Sequence, residues 1–246
     1  MTDVQLKENE RIDDLEINGF RIIQNPFCFC FGMDAVLLAN FANINQKADV
    51  IDLGTGTGVI PLLLTAKNKG RSCVGLEIQP EMAEMAERSV LLNQVEDRCR
   101  IVEGDLKNVK DLFSPQSFGA VTSNPPYIKE NSGLKNERDT VYVSRHEILA
   151  GLEDVIAAAS YLLKTSGTFS MVHRPSRLPE IMELMVKYRL EPKRLQLVQP
   201  SENKEPNLVL IEGVKEGGRE CRIMPTLMVY DEKGEYTSEL LKYYGK

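Results

Sequence analysis

The sequence predicts an α/β fold with a seven-stranded, mostly parallel central sheet. Short apolar runs alternate with helical patterns along most of the 246 residues, which is typical of parallel sheets with helices on both faces. One apolar run, residues 50–53, leads directly into a glycine-rich turn and a helix start. The last two runs are joined by a loop too short for a crossover helix, so the final strand is expected to be antiparallel.

The predicted elements begin with a small hairpin in residues 17–31 that turns at Asn25-Pro26, followed by a helix from Asp34. Seven strands are expected at residues 48–53, 72–76, 100–103, 118–123, 167–173, 194–198 and 207–214. Helices are expected between them at 59–69, 80–93, 147–163 and 176–188, and polar residues 128–145 form a long loop. Proline at the first turn of the 80–93 helix favours its start there. The tail contains a turn at residues 231–234 and a short tyrosine-rich helix.

The chain is expected to form a single domain over residues 1–246. Its parts are a hairpin-and-helix extension at 1–45, a core at 46–215 and a tail at 216–246. No internal repeat or low-complexity linker divides it, and this length suffices for one α/β domain with a large core.

The composition argues against several classes of protein. The net charge is −6, so a nucleic-acid footprint is expected only as a local basic patch. No stretch approaches the ~20 apolar residues of a membrane-spanning helix, and the polar, acidic N-terminus does not resemble a signal peptide. Five cysteines without zinc spacing and only two histidines make a metal site unexpected. We therefore expect a cytoplasmic protein with reduced, mostly buried thiols and no membrane contact.

A glycine loop after the first core strand predicts a nucleoside cofactor. In Gly54-Thr55-Gly56-Thr57-Gly58 the glycines permit a sharp turn and close approach of a ligand to the helix N-terminus. The spacing is tighter than the G-x-G-x-x-G dinucleotide fingerprint, and with Asp52 before it the loop resembles the first motif of Rossmann-like methyltransferases. Glu77, at the end of the next strand, can accept both ribose hydroxyl protons. A turn without a ligand and a nicotinamide cofactor are the alternatives.

The third strand ends in Glu103-Gly104-Asp105. Asp105 resembles the acid that hydrogen-bonds the adenine amino group of S-adenosylmethionine, and Ile78 is a candidate apolar cover for the adenine ring. A Gly-Asp turn without a ligand is the alternative interpretation of Asp105.

The tetrapeptide Asn124-Pro125-Pro126-Tyr127 follows the fourth strand, at the edge where open α/β sheets bind their ligands. The Asn124 side-chain oxygen and the Pro125 carbonyl are two fixed acceptors for the N–H protons of a planar amine, and they favour the charge that develops on methylation. Pro126 has no competing N–H, and Tyr127 offers a flat stacking face. A sulfonium donor is already a strong electrophile, so no general base is required. A proline-rich turn is the alternative.

Together the motifs resemble those of amino-methyltransferases with a (D/N/S)PP(Y/F) signature. This group includes adenine-N6 methyltransferases of RNA or DNA, ribosomal guanine-N2 methyltransferases and glutamine-N5 methyltransferases of release factors. The last carry an N-terminal helical substrate domain, whereas only about fifty residues precede the glycine loop here. This difference counts against protein glutamine methylation. Protein glutamine methylation and rRNA guanine-N2 methylation are kept as alternatives. A non-enzymatic binding module is disfavoured by the intact tetrapeptide.

The flanking segments resemble the bacterial tRNA-Val adenine-N6 methyltransferase family. They are residues 24–26, residues 31–38, Ser144-Arg145-His146-Glu147, and residues 230–237. The resemblance covers nearly the whole chain. It implies a class I methyltransferase that takes S-adenosylmethionine, releases S-adenosylhomocysteine and acts on N6 of an adenine in tRNA.

The resemblance also assigns roles to individual residues. Gln24, Phe31, Gly32 and Asp34 are expected to close over the methionine end of the cofactor, and Asn124 belongs to both the catalytic and the cofactor-binding set. Helix N-capping is the alternative role of Asp34. Candidate RNA contacts, with ordinary surface charge as their alternative, are Arg145, His146, Lys193, Arg194, Arg219 and Arg222. Tyr236, Tyr243 and Tyr244 are expected to pack rather than to bind bases.

Overall fold

The computed structural model describes residues 4–28, 30–127 and 151–246. The strands are β1 (Arg11–Asp14), β2 (Arg21–Gln24), β3 (Asp49–Leu53), β4 (Ser72–Glu77), β5 (Cys99–Glu103), β6 (Phe118–Ser123), β7 (Leu163–His173), β8 (Leu190–Gln199), β9 (Leu208–Lys215), β10 (Arg222–Ile223) and β11 (Leu227–Met228). The helices are α1 (Met33–Phe41), α2 (Val59–Ala66), α3 (Pro80–Leu92), α4 (Val109–Leu112), α5 (Leu152–Leu162), α6 (Leu178–Lys187) and α7 (Ser238–Tyr243). The predicted loop at 128–145 and the first residues of the 147–163 helix lie outside the described residues.

The central sheet has the order β10-β8-β9-β7-β6-β3-β4-β5, and β11 also pairs with β8. β9 runs antiparallel to β7 and β8 while the other pairs are parallel, which confirms the predicted topology. Counted over the described residues, the sheet has nine strands rather than the expected seven. The tail adds β10 and β11, whose two residues each are too few to show the alternating pattern of a strand.

The N-terminal hairpin differs from the predicted one. β1 pairs antiparallel with β2, and the chain turns at Asn18-Gly19 instead of Asn25-Pro26. Both turn residues have positive φ, 49° and 72°, and the Phe20 N–H donates to the Ile17 carbonyl over 2.9 Å. Asn-Gly is the strongest short signal for such a hairpin turn. The sequence prediction did not place the turn at Asn18-Gly19 because the alternation of apolar residues after Ile17 indicated a strand there.

Two apolar layers cover the sheet. On one face, β-strand residues such as Val50 and Ala120 pack with α1, α2, α3 and α7. On the other face, Ile51 and Val121 pack with α5 and α6. Successive strand residues point to opposite faces, so a strand buried on both faces reads as a continuous apolar run. Of the five cysteines, none in a disulfide, Cys73 and Cys99 are buried, so the expectation of mostly buried thiols is wrong.

Helix α1 is fixed against the core by Lys69. Its Nζ donates to the carbonyl oxygens of Ala39, Asn40 and Ala42 over 2.9, 2.7 and 2.7 Å. These carbonyls end a helix and would otherwise lack donors. Burial lowers the pKa of Lys69 to about 8. The lysine thereby sets the position of the α1 N-terminus, which lies at the carboxyl edge of the sheet.

Candidate active site

The glycine loop lies at the carboxyl end of β3 and is hydrogen-bonded to the end of β4. Gly54, Gly56 and Gly58 have φ values of 71°, 57° and 81°, a region that side chains with a Cβ rarely adopt. The N–H groups of Gly54 and Thr55 both donate to the Leu76 carbonyl, over 2.9 and 3.1 Å. A Cβ built on Gly54 would meet no atom within 4 Å. The loop therefore borders open space that a ligand can enter.

Gly58 has a different role from the other two glycines. A Cβ there would stand 3.1 Å from the Cβ of Ala86 on α3, and Gly58 lines neither cavity at this edge. It lets α2 start close to α3. The structure thus places Gly58 in the packing beneath the loop.

Glu77 is buried at the end of β4. Its Oε2 accepts the Gly56 N–H over 2.8 Å and its Oε1 accepts the Gln79 N–H over 2.9 Å. Each carboxylate oxygen has further acceptor capacity. The side chain is therefore fixed beside the loop with lone pairs left for the hydroxyls of a bound sugar.

A small cavity of about 40 Å³ continues from Glu77. Ile78, Asp105 and Leu106 line it together with Leu53, Gly54, Leu76, Glu77, Gly104, Ser123, Pro125, Pro126 and Val155. Asp105 Oδ1 accepts the Lys107 N–H over 2.8 Å and so caps a 3₁₀ turn. A mainly apolar slot bordered by the carboxylates of Glu77 and Asp105 suits a flat ring that carries an amino group.

A larger cavity of about 350 Å³ shares Gly54, Pro125 and Pro126 with the small one. Its walls are Cys30, Phe31, Gly32, Asp34, Ala35, Gly54, Thr55, Gly56, Thr57, Val59, Ile60, Asn124, Pro125, Pro126, Tyr127 and Arg174. Among these wall residues Arg174 is the one cation and Asp34 the one carboxylate. The structure thus brings the loop, the α1 N-terminus and the tetrapeptide around one space.

Tyr127 connects the tetrapeptide to α1. Its hydroxyl lies 2.7 Å from Asn124 Oδ1 and 3.1 Å from Asp34 Oδ2. Burial, with Asp34 beside it, raises the pKa of Tyr127 well above its ordinary value, so the hydroxyl keeps its proton and donates it. One proton serves one acceptor at a time, and the shorter distance favours Asn124. The Pro125 carbonyl oxygen accepts no hydrogen bond from any residue in the described ranges.

The Tyr127 ring is also held from the side of β7. The Arg174 guanidinium stands 4.9 Å from the ring centroid, and His173 meets the ring edge-to-face at 5.2 Å. Burial lowers the pKa of His173 to about 4, so the imidazole is neutral near pH 7. The Arg174 guanidinium therefore covers one face of the Tyr127 ring, on which a base was expected to stack.

Asp34 does not cap α1. The N-cap residue is Gly32, and Asp34 lies in the first turn. A Cβ on Gly32 would stand 2.8 Å from Asp34 Oδ1, so the absence of a side chain at Gly32 makes room for the carboxylate. The capping interpretation of Asp34 is wrong because the helix begins one residue earlier than predicted.

Gln24 holds the segment that leads into this wall. Its Oε1 accepts the Phe31 N–H over 3.0 Å and its Nε2 donates to Asp13 Oδ2 over 2.8 Å. Phe31 and Gly32 line the larger cavity, whereas Gln24 does not. Gln24 therefore shapes the cavity through Phe31 without facing it.

Asp52 is buried beneath the glycine loop. Its Oδ1 accepts the Thr122 hydroxyl over 2.7 Å. Thr55 lies beside the carboxyl group and weakly favours its charged form, but neither Asp52 Oδ2 nor Thr55 Oγ1 forms a hydrogen bond of normal geometry within the described part of the chain. Burial raises the pKa of Asp52 to about 7. A buried carboxylate with an unmatched oxygen is the feature expected where a cationic ligand supplies the missing charge.

Several predicted RNA contacts are not available or not described. Arg194 is a structural residue: it pairs with buried Glu212 over 2.9 Å and stacks on the Phe41 ring at 4.5 Å. Arg145 and His146 lie outside the described residues. Tyr236, expected to pack, is 44% exposed and stacks with Tyr230 and Tyr244 at 5.3 and 6.4 Å.

Arg174 is the cavity residue that the sequence interpretation missed. The signal was present, because His173-Arg174 ends the strand next to the one that carries the tetrapeptide. Polar residues at that edge of a parallel sheet are candidate ligand contacts.

Within the described ranges, no helix is long and apolar enough to cross a membrane. The same residues contain no cluster of three or more His, Cys, Asp or Glu placed to hold a metal ion.

Residues 32–189 match the model of the methyltransferase small domain family. The tRNA1(Val) (adenine(37)-N6)-methyltransferase of Porphyromonas gingivalis is 29% identical over 238 residues, which cover 94% of this chain and 92% of that protein. The protein of the same name from Bacteroides fragilis is 25% identical over 233 residues, or 94% of this chain and 97% of that protein.

Solved structures share the fold. A protein described as a predicted O-methyltransferase from Agrobacterium tumefaciens superposes with a TM-score of 0.69 at 23% identity, covering 86% of this chain and 95% of that one. TYW2 of P. horikoshii, crystallised with MeSAdo, gives a TM-score of 0.59 at 14% identity, covering 87% and 74% of the two chains.

Proposed function

The chain belongs to the methyltransferase small domain family, and on this basis we propose that it methylates N6 of an adenine in tRNA. It is an S-adenosylmethionine-dependent methyltransferase. Relatives aligned over 94% of the chain carry the name tRNA1(Val) (adenine(37)-N6)-methyltransferase. The observation that carries the proposal at the site is that Asn124 and Pro125, which supply the two proposed acceptor oxygens, line the same cavity as the glycine loop.

The residues present fit S-adenosylmethionine. The loop leaves open space at Gly54, Glu77 offers fixed lone pairs for the ribose hydroxyls, and the slot at Ile78 and Asp105 suits the adenine ring. The unmatched oxygen of Asp52 suits a cationic ligand. When bound, the cofactor supplies a methyl group activated by its attachment to sulfonium.

The acceptor pair gives the chain its part in the chemistry. An exocyclic adenine nitrogen is a poor nucleophile because its lone pair is delocalised into the ring. Asn124 Oδ1 and the Pro125 carbonyl can each accept one of its N–H protons and favour the positive charge that develops on nitrogen. Asn124 Oδ1 retains a second lone pair beside the bond from Tyr127.

Tyr127 and Asp34 position this pair. The Tyr127 hydroxyl donates to Asn124 and so orients its side chain, and the Asp34 carboxylate lies 3.1 Å from the same hydroxyl on the α1 side. An adenine in a tRNA loop has to leave its stack to reach this depth. We infer that the Tyr127 ring, which lines the larger cavity, receives it.

The three segments 1–45, 46–215 and 216–246 are proposed to act as one domain. Ile22, Leu37 and Val50 share an apolar cluster with Leu227 and Leu240 of the tail. A cluster that draws on all three segments favours cooperative folding.

The test is methyl transfer from labelled S-adenosylmethionine to total bacterial tRNA, followed by digestion to nucleosides. Label in N6-methyladenosine is expected. Label only in N2-methylguanosine, or only in glutamine of added release factor, would contradict the adenine proposal and identify the alternative. Mapping by mass spectrometry then tests position 37 of tRNA1(Val), the position in the relatives' names.

A further inference from the structure

Arg174 is the charged residue at this site to which the proposed chemistry gives no role. It follows His173 at the carboxyl end of β7, next to the end of β6. Its guanidinium lies over the Tyr127 ring at 4.9 Å and lines the larger cavity. It therefore touches the residue on which we infer that the target base stacks.

The hydrogen bonds of Arg174 leave part of its guanidinium unused. Nη1 donates to the Asn207 carbonyl over 3.0 Å, which fixes the side chain from the β8–β9 connection. Nε is buried and has no acceptor in the described chain. No carboxylate forms a salt bridge with Arg174 within the described ranges. A buried donor without an acceptor costs about 1–3 kcal/mol, so the arrangement calls for an oxyanion that comes with a ligand.

The sheet order separates Arg174 from the cofactor residues. β3, β4 and β5, which carry the glycine loop, Glu77 and Asp105, lie on one side of β6, whereas β7 lies on the other. Asn124 and Tyr127 end β6 and stand between the two. Arg174 thus lies on the side of the acceptor pair away from the cofactor, where the rest of the substrate has to be.

We propose that Arg174 binds a phosphate adjacent to the target adenosine and holds the extruded nucleotide against Tyr127. This inference rests on the proposed function. Planar guanidinium matches phosphate oxygens through parallel N–H donors, and Arg174 is the one cation among the described residues that line the cavity. One side chain thereby contacts both the backbone and the aromatic surface that receives the base.

The experiment uses a stem-loop RNA with the tRNA1(Val) anticodon-arm sequence. The phosphate on either side of the target adenosine is replaced, one at a time, by a neutral methylphosphonate on a deoxy sugar. The reference RNA has the same deoxy sugar and a natural phosphate. Methyl transfer, as kcat/KM, is measured for wild type, Arg174→Ala, Arg174→Lys and Arg189→Ala. Arg189, far more exposed and near Glu216, is the matched control for loss of one positive charge.

With the reference RNA, Arg174→Ala is expected to lower kcat/KM about 10- to 100-fold, the range for a charge-assisted hydrogen bond. One of the neutral linkages is expected to cost wild type a similar factor and to cost Arg174→Ala nothing further. Arg174→Lys keeps the charge but not the paired donors and should fall between. The salt dependence of log kcat/KM should decrease by about one in Arg174→Ala only.

Three outcomes would overturn the proposal. First, the loss of kcat/KM from Arg174→Ala and the loss from a neutral linkage could multiply when the two changes are combined, at both linkages. That result would show that Arg174 and the phosphate act separately. A rise in the dissociation constant of S-adenosylmethionine that accounts for the whole loss would assign Arg174 to the cofactor carboxylate. A wild-type enzyme that methylates no tRNA would refute the proposed function and, with it, the nucleotide as the ligand of Arg174.

Discussion

The Tyr127 hydroxyl lies 2.7 Å from the Asn124 side-chain oxygen and 3.1 Å from the Asp34 carboxylate. One hydroxyl thus joins the residue that is proposed to grip the target nitrogen to the first turn of α1. The hydroxyl uses one lone pair of the Asn124 oxygen and leaves the other for an N–H of the substrate. Removing the hydroxyl therefore tests its proposed role in orienting Asn124.

Tyr127→Phe is expected to lower kcat about tenfold, because Asn124 loses the hydrogen bond that fixes its side chain. Tyr127→Ala removes the ring as well and should lower kcat/KM for tRNA by a further factor of about 10 to 100, since stacking on an aromatic ring contributes about 1–3 kcal/mol per base. Steady-state kinetics with tRNA measures both. An equal loss in the two variants would mean that the hydroxyl, and not the ring, is what the reaction uses.

Gly32→Ala should disturb Asp34 without touching the cofactor loop. The added Cβ would lie 2.8 Å from Asp34 Oδ1, so the carboxylate has to shift, and the 3.1 Å contact of its Oδ2 with the Tyr127 hydroxyl is disturbed. We expect kcat to fall about tenfold, the value of one hydrogen bond near 1.4 kcal/mol. Gly218→Ala, where a Cβ meets no atom within 4 Å, is the matched control and should behave as wild type. If kcat were unchanged in Gly32→Ala, the contact between Asp34 and the Tyr127 hydroxyl would have no role in the reaction.

Asn124→Ala separates chemistry from cofactor binding. Losing one preorganised polar partner at a reacting centre costs about 100- to 1000-fold in kcat. The dissociation constant of S-adenosylhomocysteine, measured by calorimetry, is expected to stay within about threefold, because Glu77 and the glycine loop are unchanged. If affinity and kcat fell together, Asn124 would belong to the cofactor site and the assignment of the acceptor pair would be wrong.

The local motifs were predictable from sequence because each is a short stretch whose neighbours are fixed by the chain. The glycine loop, Glu77 and the tetrapeptide all follow apolar runs, and parallel strands bring their ends to one edge. The positions of strands β3 to β9 were predictable for the same reason, because each strand is an apolar run in the sequence. The hairpin was also predictable in principle, since Asn18-Gly19 is a strong turn signal.

The contacts that complete the site were not predictable in this way. Asp34 and Tyr127 are 93 residues apart, and Arg174 reaches Tyr127 from another strand. No local pattern distinguishes such an aspartate from a helix cap, and the position of Arg174 at a strand end indicates a candidate ligand contact without showing that it reaches Tyr127. Their pairing depends on where α1 and β7 dock, which Lys69 and the sheet order determine.

Asp52 is expected to lower stability as pH rises. Its pKa is raised by burial from 3.8 to about 7 in the folded chain, so between these values the folded state holds a proton that the unfolded state has lost. Its contribution is therefore most favourable below pH ~4, declines between pH ~4 and ~7 and is constant above. At 1.36 kcal/mol per pKa unit the decline is about 4 kcal/mol.

Asp52→Asn should remove this decline. The amide can still accept the Thr122 hydroxyl bond, and its NH2 can donate to Thr55 Oγ1, which has no partner now. The variant is expected to have a higher melting temperature than wild type at pH 8, and the difference should shrink to near zero at pH 4. Affinity for S-adenosylmethionine should fall at pH 8, because the variant lacks the negative charge that favours a cationic ligand. A variant less stable than wild type at pH 8 would show that the buried carboxylate is matched by interactions other than those with Thr122.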